Sequence, residues 1–136
     1  MTPMTASGDA RLGLIILAVE DLPRAVGFYR QAFGWEQLVA VPVYAEFRLP
    51  AQLRLGLYVR TGFGVNTGQV PIAVPAGQLA GAELYFYPAD LTAAIVRLEA
   101  AGARALSPLS ARDWGDEAAY FADPDGNVVV VARPLG

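Results

Sequence analysis

The 136-residue sequence contains no histidine, no lysine and no cysteine, so all ten of its basic residues are arginines. The absence of histidine and cysteine excludes Ser–His–Asp and Cys–His nucleophile systems and every zinc site built on His or Cys. The absence of lysine excludes Schiff-base catalysis and the lysine of phosphate-binding loops. The chemistry that remains belongs to carboxylates, arginine, tyrosine, hydroxyl groups and the backbone.

Long hydrophobic runs are also missing. The longest, Leu12 to Val19, has eight residues and includes a glycine, whereas about 20 are needed to span a bilayer. We therefore expect no contact with a membrane. The first ten residues lack the basic start and hydrophobic middle of a secretory signal and predict a disordered polar arm. With no cysteine to indicate an oxidising compartment, the cytoplasm is the expected location.

The charge balance is mildly acidic, with a net charge of −3 and a pI near 4.8. Nucleic acid would require clustered positive charge, so it is excluded as a partner. This acidic net charge is compatible with a neutral or cationic small molecule as ligand. With 54% hydrophobic and 17% charged residues, the chain predicts a compact domain with one core, or two small modules that share one.

The hydrophobic pattern occurs twice along the chain, in a first module at about 11–60 and a second at about 82–134. Each half predicts a strand, a helix and three more strands. The predicted strands are 11–19, 35–41, 44–49 and 53–60 in the first module, then 83–87, 103–109, 118–122 and 127–133; the helices are 21–34 and 90–102. The glycine-rich segment 61–81 between them predicts a linker or a flap. The fold class is therefore α+β.

Several polar residues have structural roles in this pattern. Asp21 and Asp90 are placed as helix N-caps. Asp123 to Gly126 predicts a tight turn, because proline presets φ at its second position and glycine accepts positive φ. Four consecutive valines, Val128 to Val131, then predict a buried strand. Trp35, which follows a helix stop at Gly34, is expected in the core.

Three stretches resemble one family when taken together. They are LAVEDLPRAVGFYRQAFGWE (17–36), ELYFYPADLTAAIVRLEAAGA (83–103) and DWGDEAAYFADPDGNVVVVARP (113–134). In this order they resemble the glyoxalase, bleomycin-resistance and extradiol-dioxygenase superfamily, the vicinal oxygen chelate proteins. The resemblance implies two βαβββ modules whose eight strands form a half-open cup, commonly in homodimers, with ligand or metal inside the cup.

Enzymes of that family hold a divalent metal through four side chains, typically His, Gln or Glu. By position, these ligands fall on Leu14, Gly56 (within about one residue), Glu83 and Val130. Only Glu83 can coordinate, and one carboxylate cannot replace the hydration shell of a hard cation. We therefore predict that the family's metal site, and the metal-assisted chemistry it supports, is absent, and we expect no cofactor.

Strand alternation predicts which side chains line the cup instead. If Gly56, Glu83 and Val130 face inward, then so do the polar and aromatic residues that alternate with them, which are Arg54, Tyr58, Arg60, Tyr85 and Tyr87. Tyr44, Glu46 and Arg48 extend this polar face in one of the two possible phases of their strand. Trp114 lies in a loop and offers another stacking surface. Glu83 could pair with Arg54 or Arg60, or with a cationic group of the ligand.

Three functions fit this lining. The first is a metal-independent binding protein that holds a planar or amphipathic molecule against a cup lined by Tyr, Arg and Glu. The second is a metal-independent lyase, isomerase or hydrolase in which Glu83 is the general base and Arg54 or Arg60 stabilises an oxyanion. The third is a dimeric structural or regulatory module. Alternatively, these Tyr and Arg side chains have no functional role and lie on a solvent-exposed face of the sheet.

Overall fold

The computed structural model describes residues 7–136. The first six residues of the predicted polar arm lie outside the described residues. Residues 7–10 are exposed, and no helix or strand occurs before Leu14 in the part that is described. Within residues 7–136, none of the helices combines the length and apolar character needed to cross a membrane.

The first module has the predicted βαβββ order. Its elements are β1 (Leu14–Val19), α1 (Leu22–Phe33), β2 (Glu36–Val41), β3 (Tyr44–Arg48) and β4 (Arg54–Val59). The sheet order is β1-β4-β3-β2, with β1 parallel to β4. The Asp21 carboxylate caps α1 by accepting the Arg24 N–H at 3.0 Å, and Gly34 ends the helix at φ +67°, as the sequence predicts.

The second module repeats this arrangement. Its elements are β5 (Glu83–Phe86), α3 (Leu91–Ala100), β6 (Arg104–Ala111), β7 (Asp116–Ala122) and β8 (Val128–Pro134), and its sheet order is β5-β8-β7-β6. Asp90 caps α3 through the Ala93 N–H at 3.0 Å. The two modules and the α+β class are therefore confirmed, with strand ends shifted by one to three residues.

The segment after β4 differs from the prediction. Arg60 was expected to end a strand, but it begins helix α2 (Arg60–Thr67) directly after β4. Glycines at 62 and 64 disfavour a helix by local propensity. Here they allow close packing instead, because a Cβ at Gly62 would collide with the Tyr58 ring and one at Gly64 with Val70. Tertiary contact therefore decides the structure of 60–67, and residues 68–82 form no helix or strand.

One core extends through both modules. α1 and α3 pack together, with Gln31 Nε2 donating to the Ala100 carbonyl at 3.0 Å and Arg97 Nε to the Ala32 carbonyl at 3.2 Å. Trp35 belongs to this core, since its ring stacks on Phe33 at 4.3 Å between centroids. The core prediction for Trp35 is thus confirmed.

The predicted turn between β7 and β8 is a second link between the modules. Asp123 is buried, and its Oδ2 accepts the hydroxyl of the fully buried Tyr29 of α1 at 2.5 Å and Asn127 Nδ2 at 2.9 Å. Its Oδ1 accepts the backbone N–H groups of Asp125 and Asn127 at 2.8 and 2.9 Å. Gly126 supplies the positive φ of +85°. This carboxylate therefore shapes the turn and holds α1.

Candidate functional site

The strand register shows which residues share the cup face of the first sheet. Directly paired residues lie on the same face of a sheet, and Tyr44 pairs with Tyr58, Glu46 with Gly56, and Arg48 with Arg54. The alternating set on β4, Leu55 and Leu57, is buried in the core on the opposite face. The predicted division between a polar cup face and an apolar core face is therefore confirmed for β4. The register also fixes the phase of β3, which sequence alone left open.

A fixed polar network covers part of this face. The buried Glu46 carboxylate accepts the Tyr44 hydroxyl at 2.6 Å and Arg54 Nη1 at 3.0 Å. The Tyr44 ring lies across Gly56, where an added Cβ would collide with the hydroxyl. Burial and the hydrogen bond to Glu46 raise the pKa of Tyr44 well above its usual value, so the phenol stays protonated and acts as a donor.

Helix α2 covers the neighbouring part of the same face and forms one wall of an open cavity of about 320 Å³. We call it the cup cavity. It is lined by Leu14, Ile16, Tyr58, Phe63, Asn66 and Thr67. Leu14 and Ile16 pair with Arg54 and Gly56 of β4, so they lie on the cup face. The cavity wall is mainly apolar, which suits the body of a small organic molecule.

The second sheet carries an aromatic cluster formed by Tyr85, Tyr87, Trp114 and Asp116. Asp116 Oδ2 accepts the hydroxyls of Tyr85 and Tyr87 at 2.7 and 2.8 Å, and Trp114 Nε1 donates to the Tyr85 hydroxyl at 2.9 Å. The two tyrosine rings meet edge to face at 5.5 Å. Asp116 is only 6% exposed, whereas Tyr87 and Trp114 are 61% and 59% exposed. The polar atoms are thus satisfied inside the cluster while the rings remain accessible.

The tyrosines of this sheet have raised pKa values, and Tyr85 and Tyr87 donate hydrogen bonds to Asp116. The pKa of Tyr85 is raised by desolvation and by Asp116, and that of Tyr87 chiefly by its hydrogen bond to Asp116. Tyr120 pairs with Val130 on the same face, and desolvation and the negative charge of Glu83 raise its pKa. The Arg112 guanidinium lies 4.8 Å from the Tyr120 ring centroid. At neutral pH all of these phenols are therefore neutral.

Two of the predicted site residues, Arg60 and Glu83, do not line the cup cavity. Arg60 does not alternate with Tyr58 on a strand, because it is the first residue of α2. It forms an ion pair with Glu20. Arg54 is paired with Glu46, so of the partners considered for Glu83, Arg54 and Arg60 are both paired with other carboxylates. Glu83 is exposed and lines none of the cavities described here.

The site also includes three residues that were not predicted from the sequence, which are Asp116, Tyr120 and Phe63. Asp116 and Tyr120 alternate with Ala118 on β7, and Tyr120 and Ala118 pair with Val130 and Ala132. Extending the alternation from β8 to β7 would have found both, since paired strands share a face. No pattern in the sequence identifies Phe63 as a site residue, because its position depends on how α2 packs over β1 and β4.

The four positions implied for a metal do not fit a divalent cation. Leu14 and Val130 have no donor atom, and the Tyr44 ring lies over Gly56. Val130 is fully buried against Tyr85 and Tyr120. Across residues 7–136, no group of three or more Asp, Glu, His or Cys side chains could hold a metal ion. A single carboxylate at Glu83 cannot satisfy a cation that requires several oxygen ligands.

Asp125, in the turn between β7 and β8, gives a pH-dependent prediction. Burial, together with the neighbouring Asp123 carboxylate, raises its pKa to about 6, against the opposing effect of Arg24 and Arg60. A carboxyl group whose pKa is raised by folding makes the folded state less stable when it is ionised. We therefore expect Asp125→Asn to be more stable than wild type at pH 7.5, with the difference disappearing as the pH falls from about 6 to 4.

Urea denaturation of both proteins at several pH values measures this difference. Comparing the two proteins at each pH separates the effect of Asp125 from that of the carboxylates that both proteins share. Asp113→Asn is the matched control, because Asp113 lies in the exposed loop beside Trp114. An Asp125→Asn difference that does not change with pH would contradict the prediction.

Comparisons of this chain with known proteins are consistent with the fold described above. The family model described as Glyoxalase/Bleomycin resistance protein/Dioxygenase superfamily matches residues 11–131. A glyoxalase-related enzyme from Fulvimarina pelagi is 24% identical with a TM-score of 0.79, over 90% of this chain and 86% of that chain. A glyoxalase/bleomycin resistance protein/dioxygenase from Nocardioides is 22% identical with a TM-score of 0.79, over 96% and 87%.

A third structure, named lactoylglutathione lyase and from Agrobacterium tumefaciens, is 25% identical with a TM-score of 0.67, over 91% of this chain and 92% of that chain. No curated protein matches the chain. The family model covers most of the sequence, including both modules, and the similar structures share the fold over nearly their whole length. The chain therefore belongs to the glyoxalase/bleomycin resistance protein/dioxygenase superfamily.

Proposed function

We propose that the protein is a metal-independent binding protein that holds a small planar or amphipathic molecule against the Tyr-, Arg- and Glu-lined face of its cup. The aromatic cluster is the observation that carries this proposal. Trp114 and Tyr87 are held by hydrogen bonds to Tyr85 and Asp116, yet more than half of each side chain is exposed. Rings fixed in this way can stack on a ligand at little cost in conformational entropy.

The first sheet supplies the complementary features. Arg54 is held by Glu46, and its side chain is still 46% exposed, so it presents a fixed positive charge at the cup face. Tyr58 and Phe63 line the cup cavity of about 320 Å³. An apolar pocket with a few fixed polar groups is the usual form of a small-molecule site. Ring stacking and burial would supply affinity, and Arg54 would orient the ligand.

The alternative functions have weaker support. A lyase or isomerase that uses Glu83 as general base needs this carboxylate beside a substrate cavity, but Glu83 is exposed and does not line the cup cavity. The similar structure named lactoylglutathione lyase keeps an enzyme as the runner-up. A purely structural module would have a cup filled by its own side chains. Tyr44 does fill the space over Gly56, but the cup cavity remains open.

We further propose that the protein acts as a homodimer in the cytoplasm. A single chain leaves the large rings of Tyr87 and Trp114 exposed at the cup face, and a second chain would bring another wall to the cup. Family membership supports this assembly, since the resemblance implies homodimers. Light scattering during size-exclusion chromatography is expected to give twice the mass of one chain, and a monomer at micromolar concentration would contradict the proposal.

Ligand binding provides the direct test. A thermal-shift screen of planar aromatic compounds is expected to find molecules that raise the melting temperature, because a ligand that binds only the folded state stabilises it. Trp114→Ala is expected to weaken the binding of these compounds about tenfold or more, equivalent to about 1.4 kcal/mol of lost stacking. Isothermal titration calorimetry with wild type and variant measures the change.

Tyr87→Phe is the matched control, since it keeps the ring and removes only the hydroxyl that donates to Asp116. It is expected to retain most of the affinity. Binding should also be unchanged by EDTA. Equal affinities of wild type and Trp114→Ala would contradict the assignment of the aromatic cluster. One tightly held divalent ion per chain in purified protein would contradict the metal-independent mechanism.

A further inference from the structure

A second cavity, of about 460 Å³, lies between the two modules. We call it the inter-module cavity. Its walls come from the end of β1, the start of α1, α2, the segment 72–80 and the turn 124–127. It shares only Ile16 and Phe63 with the cup cavity, and it contains none of the aromatic cluster. Its volume is within the range of small-molecule pockets, about 300 to 1,000 Å³.

One wall of this cavity carries an incompletely satisfied carboxylate. The Asp125 side chain is 10% exposed. Its Oδ1 accepts the Glu20 N–H at 2.9 Å. Its Oδ2 is buried and has no hydrogen-bond partner among residues 7–136. A buried carboxylate with so few donors is unfavourable and uncommon in folded proteins. Because Oδ2 has almost no accessible surface, a ligand would add its donor at the part of the side chain that lines the cavity.

The neighbouring charged groups do not satisfy this oxygen. Arg60 forms its ion pair with Glu20. Arg24 Nη2 is 3.8 Å from Oδ1, which is too far for a hydrogen bond, and its side chain is half exposed. The Asp123 carboxylate in the same turn already accepts hydrogen bonds from the Tyr29 hydroxyl and from Asn127 Nδ2. Asp125 is therefore a carboxylate of this cavity to which neither arginine donates a hydrogen bond.

The other walls indicate the kind of molecule that fits. The apolar residues that line the cavity include Ile16, Phe63, Ile72, Val74 and Ala80. An ammonium group beside a carboxylate in a partly desolvated site gains a charge-assisted hydrogen bond. We propose that the inter-module cavity binds a small organic amine in its protonated form, with the ammonium donating to the Asp125 carboxylate and the apolar body packing against Phe63 and Val74.

Segment 72–80 is the part of the chain that closes over this ligand. Ala80 N–H donates to the Gly126 carbonyl at 2.8 Å, which fixes the end of the segment beside Asp125. Val74 approaches Gly126 so closely that a Cβ there would collide with its side chain. The glycine is therefore required both for the turn, where φ is +85°, and for the contact that brings the segment onto the cavity.

The test compares an amine with its neutral isostere. The probes are 2-phenylethylamine and 2-phenylethanol, titrated into 15N-labelled full-length protein at pH 7.5, up to about 10 mM so that a millimolar Kd is detected. We expect the amine to shift the amide signals of Glu20, Asp125 and Gly126 and to bind at least about tenfold more tightly than the alcohol. Equal binding of the two probes, or no shift at these amides, would overturn the proposal.

Variants separate this site from the cup. Asp125→Asn keeps the shape of the side chain and is expected to weaken amine binding about tenfold or more, while Trp114→Ala leaves it unchanged. Ala80→Leu fills the cavity and keeps the carboxylate, and it is also expected to block binding of the amine. It replaces Asp125→Asn as the test variant if Asp125→Asn does not fold. Amine binding lost in Trp114→Ala but retained in Asp125→Asn would place the amine in the cup and overturn the inference without affecting the proposed function.

Discussion

Replacing Asp123 by alanine is expected to lower the free energy of unfolding by about 3 to 5 kcal/mol, the value of roughly two hydrogen bonds to a charged group. The carboxylate accepts four hydrogen bonds, from Tyr29, Asn127 and two backbone N–H groups. Alanine removes all four and leaves the hydroxyl of Tyr29, a fully buried residue, without its acceptor. Urea denaturation followed by circular dichroism measures the loss.

Asp90→Ala is the matched control, since it removes one carboxylate that accepts one backbone N–H at an exposed helix end. It is expected to cost about 1 kcal/mol. Tyr29→Phe removes only the contact between α1 and the turn, so its cost should fall between those of the two alanine variants. The explanation would be wrong if Asp123→Ala cost no more than Asp90→Ala.

Replacing Phe86 by alanine is expected to lower the free energy of unfolding by about 3 kcal/mol, the low end for a phenylalanine because this ring is partly exposed. Phe86 belongs to β5 of the second module, but its ring contacts Phe33 and Trp35 of the first, at 4.8 and 5.5 Å between centroids. Because one core joins the modules, we expect both to unfold together in a single transition. Denaturation followed by circular dichroism and by tryptophan fluorescence, in a Trp114→Phe background so that Trp35 is the reporter, tests this coupling.

Val96→Ala on the exposed side of α3 is the control, because Val96 is 60% exposed and surface substitutions usually change stability by less than about 0.5 kcal/mol. Two separate transitions in Phe86→Ala, or no difference from Val96→Ala, would show that the modules are energetically independent. Coincident transitions with a reduced midpoint would support a shared core.

Most of the fold could be predicted from local patterns. The helices begin at Asp21 and Asp90 because a carboxylate can accept N–H groups of the first turn, and this needs no knowledge of distant residues. Helix α2 could not be predicted in this way. Its glycines are poor helix formers, and the helix forms where Gly62 can pack against the Tyr58 ring, a contact visible only in three dimensions.

The candidate site was predictable where alternation along a strand applied. Arg54, Tyr58, Tyr85 and Tyr87 follow from the phase of their strands, whereas Arg60 was misplaced because its strand ends one residue earlier. Alternation carries no information about segments from different modules. The meeting of β1 with the turn at Asp125, which forms the inter-module cavity, was therefore not foreseeable from the sequence.

The Tyr44 ring lying across Gly56 also restricts which side chains position 56 can hold. A Gln, Glu or His arising at position 56 would strike the ring, and displacing the ring would detach Tyr44 from Glu46, which also holds Arg54. A side chain larger than hydrogen at position 56 therefore fits only together with a smaller residue at position 44, or with a Tyr44 ring that has moved away from Glu46.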